Sequence, residues 1–189
     1  MKLAFTIILI SLFFSSNSAQ NKSNKDSVLK DFRGIEWGAS KIQVKSMVSD
    51  YYLQEFSGFG VEALCYKGTI AGFSARIDYN FNNDKLVDGL YSIESGPSFR
   101  EDFISLKNYL INEYGKPDFK VATDTDSSSV WIKENNYGKY RGPEFYWSFK
   151  NGFVGLHAAK FKNDITITVL YVQGKTVEEF NRKYLVPLN

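Results

Sequence analysis

Apolar and polar residues alternate along much of the chain, and three amphipathic stretches interrupt this alternation. The clearest alternation covers residues 73–81, where Phe, Ala, Ile, Tyr and Phe occupy the odd positions and Ser, Arg, Asp and Asn the even ones. A period of two is typical of a strand with one buried face. The same criterion and the intervening turn residues, among them a hairpin turn at Asn151-Gly152, predict further strands at residues 61–67, 86–93, 129–133, 144–150, 153–161 and 165–171.

Each amphipathic stretch opens with the pattern Gly-x-Ser/Thr-x-x-Gln/Glu, which is typical of a helix that begins with a capping box. The pattern predicts helices that start at Ser40, Ser98 and Thr176. The apolar stripes that follow are Val44, Met47, Val48 and Tyr51; Phe99, Phe103, Leu106, Leu110 and Tyr114; and Val177, Phe180 and Tyr184. Gly115 and Pro117 end the second helix.

Ser40 also raises the question of a catalytic nucleophile on a tight turn. A nucleophile elbow needs a second Gly at position 42, where Ile42 stands, and a His partner, of which the chain has one. Helix capping is therefore the favoured interpretation of Ser40.

The order of these elements predicts an α+β fold with an antiparallel sheet. We expect two pseudo-repeated modules, residues 31–95 and 96–173, each with a helix followed by a β-meander. The first meander is predicted to have three strands and the second four. A short C-terminal helix closes a single domain over residues 31–189.

The first 19 residues have the features of a secretory signal peptide. Lys2 precedes an apolar run at residues 3–14, and small polar residues follow up to Ala19. Cleavage after Ala19 or after Ser18 leaves a polar leader, residues 20–30, which we expect to be flexible. The protein is thus predicted to be exported, to the periplasm or the extracellular space. No Cys follows the apolar run to take a lipid anchor, and no later run is long enough to span a membrane.

The amino-acid composition limits the class of protein and the kinds of partner to be expected. Of the 189 residues 43% are hydrophobic, which is typical of a globular domain, and the net charge of +2 gives no indication of a nucleic-acid partner. Cys65 is the sole cysteine, so no internal disulfide forms, and its position in an apolar strand indicates a buried, inert thiol.

Candidate chemistry is sparse. His157 lies within a predicted strand and stands alone, which indicates a structural residue more than a general base, and one His cannot supply a usual zinc site. Residues 124–135 have some calcium-loop character but lack the required Gly and Glu. No phosphate-binding glycine loop is present. The sequence therefore predicts no catalytic residue, no metal site and no cofactor.

A polar, Gly-rich stretch at residues 134–143 is the leading candidate for a binding surface. It is predicted to be a loop between two strands that carries Tyr137, Lys139, Tyr140 and Arg141. Tyr and Arg are enriched at the energetic centres of protein interfaces. The alternative is a long hairpin loop whose rings fold back on the core. Phe59, in a second Gly-rich stretch, is a further candidate.

Residues Trp37 to Lys45 resemble the helix opening of small secreted bacterial modules related to the outer-membrane assembly protein SmpA/OmlA and to β-lactamase inhibitor protein. Residues 114–117, Tyr-Gly-Lys-Pro, are similar to the end of that helix. The resemblance covers residues 31–173 and implies protein binding in the cell envelope without catalysis. The lipid-anchor Cys and the paired Cys of those families are absent from this chain.

These observations leave three functional hypotheses open. The first is an exported, non-catalytic binding module of the bacterial cell envelope, with another protein as its partner. The second is a small secreted hydrolase that acts on glycans through carboxylates and aromatic platforms. The third is a purely structural domain of an envelope assembly. The identity of the partner and the oligomeric state stay open.

The signal peptide gives the first testable prediction. The chain recovered from the exported fraction of its host should start at Ala19 or Gln20, because the small residues there suit signal peptidase. Mass spectrometry of the intact protein measures this start. An exported chain that still begins at Met1 would show that the apolar run is not a cleaved signal.

Overall fold

The computed structural model of the chain describes residues 24–58, 60–121, 132–133 and 139–184. These residues include three α-helices, preceded by a 3-10 turn at Asn24–Asp26: α1 (Lys41–Met47), α2 (Phe99–Tyr114) and α3 (Val177–Tyr184). None of the helices in these residues has the length and apolar character needed to cross a bilayer.

Eleven strands occur in the described residues. They are β1 (Asp31–Phe32), β2 (Ile35–Glu36), β3 (Tyr51–Gly58), β4 (Val61–Ile70), β5 (Phe73–Asn82), β6 (Lys85–Ser95), β7 (Phe119–Val121), β8 (Ile132–Lys133), β9 (Lys139–Phe149), β10 (Gly152–Phe161) and β11 (Asp164–Gln173). β1 and β2 form a small hairpin. The other strands form one sheet with the neighbour order β3-β4-β5-β6-β11-β10-β9-β7, and β8 also pairs with β9.

All strand pairs in the described sheet are antiparallel, which confirms the predicted α+β class. β3 to β6 form a four-stranded meander, and β9 to β11 form a three-stranded one with β7 and β8 on its outer side. The last strands of the two meanders, β6 and β11, pair at the centre. Because the two halves differ in their strands and connections, the predicted internal repeat is not confirmed.

The sheet has two faces that are covered differently. α1 and α2 pack on one face, here called the α2 face, where Leu106 and Leu110 are fully buried and the rings of Phe103 and Phe145 lie 6.1 Å apart. α3 packs on the opposite face, the α3 face, where the ring centroids of Phe153 and Phe180 are 5.1 Å apart. The sheet is thus a middle layer with helices on both sides.

Two of the three predicted capping boxes are present. Gln43 N donates to Ser40 Oγ at 3.3 Å, and Ser40 N donates to Gln43 Oε1 at 2.8 Å. Glu179 N donates to Thr176 Oγ1 at 3.2 Å, and Thr176 N donates to Glu179 Oε2 at 2.9 Å. Ser40 therefore satisfies free amides at the helix start, as its sequence context predicted.

The capping box predicted at Ser98 is wrong, although α2 begins directly after it. Ser98 Oγ donates to Asp102 Oδ2 at 2.9 Å and makes no cap hydrogen bond to a helix amide. Asp102 Oδ2 also accepts from Ser95 Oγ at 2.7 Å. The Ser98 hydroxyl thus bonds to the acidic side chain of Asp102, whereas the motif predicts that it bonds to a backbone amide of the helix.

The predicted apolar stripe of the first helix is only partly correct. Val44 is fully buried, but Met47 is exposed, and Tyr51 belongs to β3, a strand that the sequence did not predict. α1 ends at Met47 because Val48 adopts an extended conformation. The first meander therefore has four strands instead of three.

Asn151 connects the N-terminal segment to the sheet. Gly152 is the register partner of Phe149, so the hairpin turn consists of Lys150 and Asn151, one residue earlier than predicted. Asn151 Oδ1 accepts from Leu29 N at 2.7 Å, and its Nδ2 donates to Leu29 O at 2.9 Å. Leu29 is buried, so the part of the predicted leader that the structure describes contributes to the core.

Phe32, at the end of β1, fixes the β1–β2 hairpin on the centre of the sheet. Its ring centroid lies 5.1, 5.4 and 5.2 Å from those of Tyr79 on β5, Tyr91 on β6 and Tyr171 on β11. Gly89 makes room for it, because a methyl group there would lie 2.2 Å from Phe32 Cδ1. One side chain thus ties the hairpin to three neighbouring strands.

Gly89→Ala should lower the free energy of unfolding by about 1–3 kcal/mol, the usual cost of overpacking a filled core. Gly96→Ala is the matched control, because a methyl group there meets nothing within 4 Å. Urea unfolding followed by tryptophan fluorescence measures both variants. If Gly89→Ala were as stable as the control, the close approach of Phe32 would not be a packing constraint.

Candidate functional site

Three of the five residues that the sequence selected for binding lie on a strand. Lys139, Tyr140 and Arg141 are the first residues of β9 and pair with the end of β10. The predicted loop over residues 134–143 is therefore wrong from residue 139 onwards, and β9 begins five residues before its predicted start.

Gly142 and Pro143 explain why the sequence pattern failed here. The register of β9 on β10 shifts between His157 and Ala159, opposite these two residues. Irregular pairing of this kind is one of the places where a strand tolerates Pro. The residues after Pro143 indicate a strand, but a Pro is unfavourable within a regularly paired strand. The sequence pattern therefore predicts that the strand begins only after Pro143.

Strand pairing brings three short segments together at one corner of the sheet. Lys139 is the register partner of Phe161, and Tyr140 is the partner of Lys160 on β10 and of Lys133 on β8. We use the name β9 corner for residues 132–133, 139–141 and 160–162. These residues include five Lys and Arg residues, so the segments that meet at the corner are rich in basic residues.

Phe161 and Lys162 are the described side chains at the tip of the β9 corner. Phe161 is 49% exposed, and Lys162 Nζ lies 5.4 Å from the centroid of its ring. Asp164, the partner of Phe161 across the next turn, adds one carboxylate. An exposed ring with a cation beside it is a suitable contact for an acidic, partly apolar partner.

The two other predicted binding residues, Tyr137 and Phe59, lie outside the described residues. β3 and β4, which precede and follow Phe59, are at the opposite edge of the sheet from β9. The strands adjoining Phe59 are therefore not brought together with the β9 corner.

His157 belongs to a polar group that the sequence did not reveal. It is the register partner of Glu144 on β9, and Tyr146 Oη donates to Glu144 Oε2 at 2.7 Å. Glu144 and Tyr146 are each 2% exposed. A carboxylate beside an imidazole is a usable acid–base pair, but this carboxylate is enclosed, which favours a structural role for the group.

Cys65 is fully buried, as predicted, and belongs to a second polar group on β4 and β5. Arg76 Nε donates to Asp78 Oδ1 at 2.7 Å, and Arg76 Nη2 lies 3.4 Å from Cys65 Sγ. Burial, and then the neighbouring Asp78, raise the pKa of the Cys65 thiol to about 11. The thiol therefore stays protonated at physiological pH, and a protonated thiol is a poor nucleophile.

Asp88 on β6 is a half-buried carboxylate on the α3 face, the face that also carries Asp78. Burial raises its pKa, while a hydrogen bond from Asn80 and the charge of Lys175 lower it, and burial outweighs both. Ionised Asp88 is therefore less favourable in the folded protein than in water.

Each of four cavities lined by described residues has a single carboxylate in its lining. The largest of these four, of about 390 Å³, lies between β2 and α1 and includes Trp37 and Met47. Its neighbour, of about 160 Å³, includes Arg33, which forms an ion pair with Asp50. A glycosidase needs two carboxyl groups roughly 5–10 Å apart across one site, and no cavity here shows such a pair among its described residues.

The described residues contain no cluster of three or more His, Cys, Asp or Glu residues able to hold a metal ion. The sequence matches no protein-family model and no curated protein.

Asp88→Asn should raise the free energy of unfolding at pH 7. A carboxylate whose pKa is higher in the folded than in the unfolded protein lowers the free energy of unfolding as the pH rises above its unfolded pKa. The Asn side chain has no charge to bury and avoids this cost. The difference from wild type should shrink as pH falls below about 4, where unfolded carboxylates become protonated. Urea unfolding at both pH values tests this, with Glu94→Gln, an exposed residue of the same strand, as the control. A lower stability of Asp88→Asn at pH 7 would contradict the predicted cost of the charge.

Proposed function

We propose that the protein is an exported, non-catalytic binding module of the bacterial cell envelope whose partner is another protein. Its place of action is the periplasm or the extracellular space. The features of residues 1–19 and the resemblance to secreted envelope modules support this proposal.

The β9 corner carries the proposal. Backbone pairing sets Tyr140 opposite Lys160 and Lys133, and Arg141 opposite Ala159 and Ile132. Phe161 is exposed beside Lys162. Aromatic and Arg residues on a rigid strand contribute contact area at a low cost in conformational entropy. The backbone of residues 139–141 is more restricted in a strand than in the loop expected from the sequence.

The charge of the β9 corner indicates the chemistry of the partner. Five of its residues are Lys or Arg, and Asp164 is a described carboxylate beside it, so the partner should offer an acidic patch around an apolar contact. Such charge complementarity mainly accelerates association and makes it sensitive to salt.

Several groups of chemically reactive types are engaged in the fold. Cys65 is buried with a raised thiol pKa, and Glu144 accepts a hydrogen bond from Tyr146. The glycan-hydrolase alternative has no specific observation in its favour, because each described cavity contributes one carboxylate to its lining.

The test begins with capture of partners from the host's envelope extract by the immobilised mature chain. The captured protein is identified by mass spectrometry, purified and titrated by calorimetry. Tyr140→Ala/Arg141→Ala and Phe161→Ala/Lys162→Ala should each weaken binding by about 2 kcal/mol or more if these residues are hot spots, which is roughly a 30-fold rise in Kd.

The matched control is Tyr109→Ala/Lys116→Ala, a Tyr and a Lys exposed elsewhere on the surface. It should bind like wild type. Melting temperatures of all variants must stay near that of wild type for the comparison to hold. Unchanged affinity of both corner variants would place the interface elsewhere, and turnover of a glycan by the mature chain would replace the proposal with the hydrolase alternative.

A further inference from the structure

β3 is an exposed edge strand with an unusual share of large apolar side chains. It ends the strand order of the described sheet and pairs with β4 alone. Tyr51 is 73% exposed, Tyr52 and Leu53 are 45% exposed, and Phe56 is 39% exposed. An edge strand offers a row of backbone groups for pairing with another strand, and proteins usually protect such edges with charges or irregular backbone.

The side chains of β3 divide between the two faces of the sheet. Tyr51 and Phe56 are register partners of Lys67 and Ala63, on the α3 face. Tyr52 and Glu55 are partners of Tyr66 and Leu64, which belong to the core of the α2 face. The register shifts between Tyr52 and Gln54, so Leu53 forms a bulge.

Charges of both signs lie along the α2 face of this edge. Lys45 Nζ is 2.8 Å from Glu55 Oε2 and 5.9 Å from the centroid of the Tyr52 ring. Lys41 Nζ is 3.2 Å from Glu55 Oε1 and 2.9 Å from Glu62 Oε2. Two cations and two carboxylates make this edge electrically balanced, which suits self-association better than a strongly charged partner.

The position of the two-fold axis decides which side chains meet when two copies of β3 pair in antiparallel fashion. An axis at Glu55 would set two carboxylates face to face, which is destabilising. An axis between Leu53 and Gln54 instead sets Tyr51 opposite Phe56 of the second copy, an aromatic cross-strand pair on the α3 face.

The same axis gives complementary charges on the α2 face. Tyr52 comes opposite Glu55 of the second copy, and Lys45, which lies beside Tyr52, comes next to that carboxylate. Leu53 comes opposite Gln54, so the bulges of the two strands coincide and do not interrupt the pairing. The contact is self-complementary, as a two-fold dimer requires.

We propose that the chain forms a two-fold dimer in which the β3 strands of two copies pair in this register and extend the sheet across the molecule. The second copy uses a different edge of the sheet from the β9 corner, so this inference does not depend on the proposed function.

The register is tested by charge pairing in analytical ultracentrifugation. The wild-type chain should sediment as a dimer. Tyr51→Lys/Phe56→Lys sets like charges opposite each other twice, and Tyr51→Glu/Phe56→Glu does the same with the opposite sign, so each variant should be monomeric. An equimolar mixture of the two should recover the dimer, because each Lys then meets a Glu. The control Ile104→Lys, at an exposed position on α2, should stay dimeric.

A wild-type chain that remains monomeric at all concentrations would overturn the proposal, and so would charge variants that fold and remain dimeric. Failure of the mixture to recover the dimer would overturn the register. If the charge variants do not fold, Tyr51→Cys/Phe56→Cys replaces them. Oxidation should link its two copies on a non-reducing gel, and absence of the link would overturn the proposal. Binding of the partner captured from the envelope extract is measured separately and is unaffected by any of these outcomes.

Discussion

The packing of Phe32 over Gly89 is the constraint on which the arrangement of the sheet depends. The ring contacts tyrosines of β5, β6 and β11, and β6 and β11 are the strands at which the two meanders meet. A residue at position 89 with any side chain would occupy the space of the ring. The β1–β2 hairpin therefore packs against both halves of the sheet and belongs to one core with them. Because protein interiors are close-packed, the hairpin has little freedom to shift.

The polar groups of the α3 face show how the fold accommodates its chemistry. Cys65, Arg76 and Asp78 contact one another across β4 and β5, and Glu144 is held by Tyr146 on β9. Buried polar groups with partners stabilise a unique strand register. This thiol and these carboxylates thus serve the packing of the sheet. The surfaces proposed for contact with other molecules are at one corner and one edge of the sheet.

The alternating pattern predicted β5 correctly, because a strand with one buried face must repeat with a period of two: Ile77 and Tyr79 are buried and Ser74 is exposed. β3 escaped the same criterion because most of its length is exposed, so no face imposes an alternation. Tyr51 also fits the helical spacing that begins at Val44. The sequence pattern therefore predicts a helical position for a residue that belongs to β3. β9 was shortened because Pro143 is unfavourable in regular pairing, and only the irregular register on β10 accommodates it.

The sequence by itself determined the class of the fold, the helix starts and the residue types available for binding, because these follow from local periodicity and capping. Tertiary structure decided which residues meet. It placed Lys139 to Arg141 beside Lys160 and Phe161, set His157 opposite Glu144, and left β3 at the edge of the described sheet. These outcomes depend on strand order and register, which arise from contacts between residues far apart in the chain and leave no local pattern from which to predict them.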